Sequence, residues 1–491
     1  MQRRKFIQNS SMVAAGFLIA KNSLFAQNSI LSINPDALNS DGLNPANRLS
    51  NLKFPVVRIP ESERKFKSTA VENVIKKVKT KLNNNEVAWL FENCFPNTLD
   101  TTVDFEIIDG KPDTYVITGD IDAMWLRDST AQVWPYLPLM KDDPALKQLI
   151  KGVINRQTKC ILKDPYANAF YKDESKVSEW KETDLTEMLP GIHERKWEID
   201  SLCYPIRLAY NYWKHTGDTN LFDARWKDAL ALIVKTFKQQ QRKTDKGPYS
   251  FQRTTNWATD GVPMSGFGYP IKPVGLICSM FRPSDDATIF PFLIPSNFFA
   301  VVSLRQAAEM ANAILKDAQL ANECTGLANE VETALKQYAI IKHPQIGEVY
   351  AYEVNGFGSF NLMDDANIPS LLSLPYLGAV TTNNPIYQNT RKLVLGEYNP
   401  FYYKGKTGGG IGSPHTWPEY IWHLGIIMRA MTSTDQKEIN DCIEHLRKTH
   451  GNTGFMHESF HVDDPTKFTR KWFAWANTLF GELIMKVYKI K

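Results

Sequence analysis

The stretch Lys196-Trp-Glu-Ile-Asp-Ser-Leu-Cys-Tyr-Pro-Ile-Arg-Leu-Ala-Tyr-Asn-Tyr-Trp-Lys-His-Thr-Gly217 decides the fold class. Its second part places Leu202, Ile206, Ala209, Tyr210 and Trp213 on one face of a helix, because apolar residues recurring every three or four positions share a side. Gly217 stands where a helix ends in a left-handed turn. The first part differs: Lys196-Trp-Glu-Ile-Asp-Ser201 crowds a cation, an indole and two carboxylates into six residues. A helix entered from a chemically loaded loop and left through a plain turn is half of a hairpin whose two ends do different work.

The same unit recurs along the chain. Five more loaded loops each run into a predicted helix: Gly119-Asp-Ile-Asp-Ala-Met-Trp-Leu-Arg-Asp-Ser129, Phe281-Arg-Pro-Ser-Asp-Asp286, Met363-Asp-Asp-Ala-Asn367, Gly408-Gly-Gly-Ile-Gly-Ser-Pro-His-Thr-Trp417 and Phe455-Met-His-Glu-Ser-Phe-His461. Helical spacing returns at Trp226, Leu230, Ile233 and Phe237, and at Trp472, Ala476, Leu479 and Leu483. Further helices are expected over 298–316, 320–340 and 419–431. Strand-like alternation is confined to short pieces such as 114–118 and 348–354. Six loaded loops predict six helical hairpins in a ring, an all-α (α/α)6 barrel with minor β structure in its loops. A superhelical array needs a fixed repeat period, and none is present.

The chain has 491 residues and a formal charge of +4, an ordinary apolar content that excludes disorder and collagen-like structure, and 12 Trp, 19 Tyr and 26 Phe. The charge is not evenly placed. Residues 1–26 carry Arg3, Arg4, Lys5 and Lys21 and no acid, so without them 53 basic residues face 53 acidic ones. Arg3-Arg4-Lys5 precedes a short apolar run, Met12 to Ala20, and a small residue, Ala26, precedes Gln27. This is the layout of an export signal, and Gln2-Arg3-Arg4-Lys5-Phe6-Ile7 resembles its twin-arginine form. The expected organisation is an export segment at 1–26, a spacer rich in Asn, Ser, Leu and Pro at 27–55, and one domain at 56–491, in an exported, periplasmic or secreted protein. No stretch is long and apolar enough to span a bilayer, and a mature charge of zero with no basic patch argues against nucleic acid. The six cysteines lie far apart with no CxxC and are expected as small buried hydrophobes. No feature specifies an oligomeric state.

Aromatic rings beside carboxylates suit a sugar, whose C–H faces stack on rings while its hydroxyls need charged or amide partners. Hydrolysis of a glycosidic bond needs two carboxyl groups, one protonated to release the leaving oxygen and one to attack carbon or activate water. Adjacent Asp285 and Asp286 cannot both face the same way, so one is free to point into a cleft while the other caps a helix or pairs with Arg282. Glu458 is flanked by His457, Ser459 and His461, groups able to aim a carboxylate as a base requires. His457 and His461 have helical spacing but lack the HExxH order, so no metal is expected. Trp125, Arg127 and Asp128 join a stacking ring, a forked cation and a carboxylate, fitted to clasp vicinal hydroxyls or to pair with neighbouring charges. Gly408-Gly409-Gly410-Ile411-Gly412 lacks the remainder of a phosphate loop.

Three segments together resemble glycoside hydrolase family 125, the bacterial exo-α-1,6-mannosidases: 119–129, Phe281-Arg-Pro-Ser-Asp-Asp-Ala287 with Ile294-Pro-Ser-Asn297, and Gly454-Phe-Met-His-Glu-Ser-Phe460. The resemblance runs from about residue 60 to the C-terminus. It implies an (α/α)6 barrel and a cofactor-free, metal-independent, inverting release of non-reducing terminal mannose from α-1,6-linked oligosaccharides, α-mannans or N-glycan fragments. By motif the general acid is the aspartate of the Arg-Pro-Ser-Asp-Asp segment, taken as Asp285, and the base is Glu458. Trp125, Arg127, Asp128, Asp286, Asn297, His415 and His457 are the expected substrate-binding residues. The alternatives are another carbohydrate-active enzyme on the same barrel, an epimerase or a lyase, and a non-catalytic glycan-binding protein of the cell envelope.

Overall fold

The computed structural model describes residues 54–490; the expected export segment and all but the last two residues of the spacer lie outside them. In chain order the α-helices are α1 (Thr69–Lys81), α2 (Asn85–Cys94), α3 (Asn97–Thr101), α4 (Leu126–Val133), α5 (Pro144–Lys163), α6 (Ile199–Thr216), α7 (Ala224–Gln240), α8 (Ile294–Ala313), α9 (Ala318–Tyr338), α10 (Pro385–Val394), α11 (His423–Met431), α12 (Gln436–Thr449) and α13 (Ala474–Val487). Burial sorts them into two rings. All eight residues of α4 and eight of the nine in α11 are buried, against four of fourteen in α12 and eight of twenty-one in α9. A helix buried all round belongs inside, and one with a single apolar stripe belongs outside. α4 packs on α6, α6 on α8, α11 on α13, and α13 back on α4, while α5, α7, α9 and α12 pack around them. This is the (α/α)6 barrel.

One station departs from the expected pattern. The fourth loaded loop, 363–367, leads into turns over 369–379 rather than a helix. Local side-chain bonds explain the departure. The Asp364 carboxylate accepts from the N–H groups of Leu371 (2.8 Å) and Leu372 (3.0 Å), and Ser370 and Ser373 exchange side-chain bonds with each other's N–H. Such bonds offer the backbone an alternative to the helical ladder.

The two rings also begin differently. The outer helices α2, α5, α7, α9, α10 and α12 are capped by the side chains of Asn84, Asp143, Asp223, Asp317, Asn384 and Asp435. The inner helices α4, α6, α8, α11 and α13 start after Trp125, Glu198, Leu293, Trp422 and Phe473, and none has a side-chain cap. Neighbouring loops satisfy their first N–H groups instead. Leu126 N donates to Asn168 O, Ile294 N to Tyr352 O, Ala474 N to Thr118 O, and Ile199 N to Ser279 Oγ. The capping therefore stitches the loaded loops to one another and leaves the positive ends of the inner helices at the loaded face. Three small antiparallel sheets, each of three strands, brace that face: Met124–Trp125 with Ala169–Phe170 and Ile192–Glu194, Phe292–Leu293 with Glu353–Val354 and Phe360–Asn361, and Tyr420–Trp422 with Ser459–His461 and Asp464–Phe468. All six cysteines are unpaired and buried, and among the described residues no helix is long and apolar enough to cross a membrane.

Candidate active site

The first turn of α4 supplies the centre of the site. Arg127 has a side chain only 3 % exposed and gathers four carboxyl groups. Its Nη1 donates to Glu198 Oε2 (2.6 Å) and Asp200 Oδ2 (3.0 Å) and its Nη2 to Asp285 Oδ1 (3.2 Å), while Nε lies 3.5 Å from Asp128 Oδ2. Arg127 therefore pairs with neighbouring charges and does not present its fork to sugar hydroxyls. Burial raises the Asp128 carboxyl to about 6, with Arg127 opposing and Asp285 and Asp200 assisting.

Asp285 and Asp286 part as adjacent residues must. The Asp285 side chain is 17 % exposed, whereas Asp286 is fully buried, with Oδ1 accepting from Thr259 Oγ1 (2.8 Å) and lying 3.5 Å from His415 Nδ1. Asp285 sits at the tip of a tight loop closed by Asp285 N to Arg282 O and Arg282 N to Asp286 O, both 2.8 Å. It has φ = 65°, a left-handed conformation that costs a non-glycine residue roughly 1–2 kcal/mol. Lys196 holds it there: its fully buried Nζ donates to the Asp285 carbonyl (2.8 Å) and to Asp260 Oδ1 (2.7 Å). Asn168 Nδ2 adds a bond to Asp285 Oδ1 (3.3 Å). Burial pushes the Asp285 carboxyl up, but Arg127 and then Lys196 outweigh it and hold the group below the usual carboxylate range.

Glu458 stands in the loop before α13. Thr469 Oγ1 donates to its Oε2 (2.9 Å), and Arg470 Nη1 lies 3.8 Å from Oε1. Arg470 is itself fixed by Asp120 Oδ1 (2.9 Å from Nε) and Thr118 Oγ1 (3.1 Å from Nη2), and its guanidinium lies 4.6 Å from the centre of the Phe473 ring. The neighbours expected to aim Glu458 do other work. Ser459 Oγ reaches Thr469 Oγ1 (2.7 Å), one step removed from the carboxylate. His461 Nδ1 accepts from Asp463 N. His457 is fully buried, stacked on Phe468 at 3.8 Å between ring centres, and bonded to Thr453 Oγ1 (3.0 Å) and Arg470 O (3.2 Å). It shapes the Glu458 loop and touches no cleft. Asn297 likewise leaves the expected wall: fully buried, it accepts from Ile277 N (2.8 Å) and donates to Ile277 O (3.0 Å) and Leu293 O (2.8 Å). Trp125 sits edge-on to His193, 5.1 Å between ring centres, with an indole N–H that meets no acceptor among the described residues. His415 keeps 16 % of its side chain exposed.

Burial lowers His457 to about 4, which yields a stability prediction. A histidine depressed in the fold takes up a proton in the unfolded chain first, so its contribution is lost as pH falls from about 6.5 towards 4. In urea titrations across that window, wild-type stability is expected to fall relative to His457→Asn by up to about 1.4 kcal/mol per pH unit. A pH-independent difference between the two would disprove a neutral His457.

Glu198, Asp200, Lys196, Thr469 and Arg470 join the site beyond the residues expected from the sequence. The signal for the first three was present, since all belong to the loaded loop that opens α6.

The chain matches the family described as metal-independent α-mannosidase, glycoside hydrolase family 125, over residues 84–485. It is 41 % identical over 457 residues to the meiotically up-regulated gene 157 protein of Schizosaccharomyces pombe, with 90 % of each chain covered. Among solved structures it is similar to a Streptococcus pneumoniae metal-independent α-mannosidase in a non-productive complex with α-1,6-mannobiose. The two share 41 % identity and a TM-score of 0.83, over 87 % of this chain and all of that one. The glucoamylase of Saccharomycopsis fibuligera, 12 % identical with a TM-score of 0.52 over 88 % of this chain and 98 % of its own, shares the fold.

Proposed function

We infer the reaction from kinship and geometry together: the chain belongs to glycoside hydrolase family 125, the metal-independent α-mannosidases, and its site is suited to removing terminal α-1,6-linked mannose with inversion. One observation carries the mechanistic part. Asp285 precedes α8 and Glu458 precedes α13, the third and sixth inner stations of a six-station ring, so the loops that carry the two carboxyl groups come from opposed stations, which supports an acid and a base working from different sides of one sugar. An inverting glycosidase needs that opposition, with about 6.5–9.5 Å between the groups to admit water. Asp285 gives a proton to the glycosidic oxygen as the C1–O bond breaks, and the bond pair stays on that oxygen. Glu458 takes a proton from the water whose oxygen bonds C1 from the other face.

The exo reading rests on how little of the site is open. The side chains of Arg127, Asp128 and Glu458 are 3 %, 7 % and 8 % exposed, which suits the floor of a pocket for one terminal sugar. The link to α-1,6-mannose rests on the mannobiose held by the S. pneumoniae relative. The acid-rich centre speaks against a lyase, whose uronate substrate would be repelled by it. Proton NMR of α-1,6-mannobiose hydrolysis is expected to show β-mannose as the first product, with α-mannose appearing only by mutarotation. Initial α-mannose would refute inversion, and no hydrolysis would refute the activity.

A further inference from the structure

Glu198 is fully buried, yet its two carboxyl oxygens have unlike surroundings. Oε2 accepts from Arg127 Nη1 (2.6 Å) and Ser201 Oγ (2.8 Å). Oε1 faces no N–H or O–H donor among the described residues, and the carboxyl stands within hydrogen-bond reach of Asp285. Two carboxyl groups in such contact are stable only with a proton between them.

The surrounding charges agree. Around the pair lie Arg127, Asp128 and Asp200, with Lys196, Glu194 and His415 on the Asp285 side and Arg470 beyond Asp128. Four carboxyl groups share one guanidinium, and Lys196 is itself bonded to Asp260 and to the Asp285 carbonyl. The cluster is thus short of positive charge unless it keeps a proton. Arg127 bonds both members, Glu198 at 2.6 Å and Asp285 at 3.2 Å. What separates them is that Lys196 adds its charge on the Asp285 side, 2.8 Å from the Asp285 carbonyl, and that the Glu198 side chain is fully buried while Asp285 keeps 17 % of its own exposed. The anion is therefore better housed on Asp285 and the proton on Glu198. Asp285 by itself would rest as a carboxylate and have nothing to donate.

We propose that Glu198 is a positioning residue that stores the proton of the general acid, holding it against Asp285 and passing it across when the leaving oxygen calls for it. The inference rests on Asp285 being that acid. Glu198–COOH and Asp285–COO⁻ become Glu198–COO⁻ and Asp285–COOH. The Asp285 proton then goes to the glycosidic oxygen as the C1–O pair departs with it. Both carboxyls are left ionised, Glu458 holds the proton from water, and the pair regains one proton from solvent through Asp285, the member with an exposed side chain. This gives the second loaded loop a role in the reaction, although Glu198 and Asp200 are fully buried.

The test compares two substrates. α-1,6-Mannobiose needs its leaving oxygen protonated; 2,4-dinitrophenyl α-mannoside does not. Glu198→Gln keeps the shape and an N–H donor towards Asp285 but carries no transferable proton. It is expected to lose about 10²–10⁴-fold in kcat on mannobiose, the usual worth of general acid catalysis, and less than about tenfold on the dinitrophenyl substrate. Its alkaline limb on mannobiose is expected at lower pH than in wild type, since Asp285 then faces Arg127 and Lys196 without an acidic partner. Glu198→Asp, which restores a carboxyl, is expected to recover part of the mannobiose activity. Equal loss on both substrates would show a merely structural role and overturn the proposal, as would mannobiose turnover within threefold of wild type. Wild-type protein that cleaves neither substrate would overturn the mannosidase reading itself, a result distinct from either.

Discussion

Glu458→Gln is expected to lower kcat on α-1,6-mannobiose by about 10²–10⁴-fold, the usual worth of a general base, while the melting temperature stays at the wild-type value. The amide keeps the size of the side chain, and its oxygen still accepts from Thr469 Oγ1, which bonds Glu458 Oε2 at 2.9 Å. Only the capacity to take a proton from water is removed. The loss should fall on kcat more than on KM, because the interaction is made in the transition state. Azide, a nucleophile that needs no deprotonation, is expected to restore turnover and give β-mannosyl azide. Turnover within tenfold of wild type would refute Glu458 as the base. Retained mannan binding without turnover in the wild type would instead favour the glycan-binding alternative.

Arg127→Met is expected to show the largest loss of stability of any single substitution in the site. The guanidinium is 3 % exposed and bonded to Glu198, Asp200 and Asp285. Removing one side of a buried ion pair costs about 3–5 kcal/mol, because the remaining charge is left desolvated and unpaired. Here several carboxyls lose one partner. The stability gap to wild type in urea titrations should narrow as pH falls, since protonated carboxyls no longer need the cation. Arg127→Lys should lie between, keeping the charge but not the fork that reaches three carboxyls at once. A loss below about 1 kcal/mol for Arg127→Met, typical of a surface pair, would show that the cluster is not held together by this residue.

Much of the barrel was legible because hairpins are local. The stripe Leu202 to Trp213 and the stop at Gly217 correspond to α6, which ends at Gly217 with φ = 67°. A further local signal separates the rings: these outer helices open on Asp or Asn, the inner ones on Trp, Glu, Leu or Phe. At the fourth station the loaded loop predicts a helix that does not form. Asp364 and the Ser370–Ser373 pair hold a turn there instead.

The site was legible by residue type and less so by role. Asn297 and His457 lie beside the candidate site segments but spend their polar atoms on backbone and packing. Sequence position alone cannot reveal that, since a short segment contains both the side chains that face a cavity and those that hold its shape.

Periodicity, turns and residue type act over a few neighbouring positions, so the all-helical ring, the loaded loops at one end and the acids available for the chemistry are all written in the chain. Which acids meet depends on how the loops come together in space. Asp285 rather than Asp286 keeps part of its side chain exposed, in a loop where Lys196, 89 residues away, pins its carbonyl. Arg127 binds carboxyls rather than sugar because Glu198, Asp200 and Asp285 converge on it from two other loops. A charge acts on whatever lies within a few ångströms through space, and that neighbourhood exists only once the ring has closed.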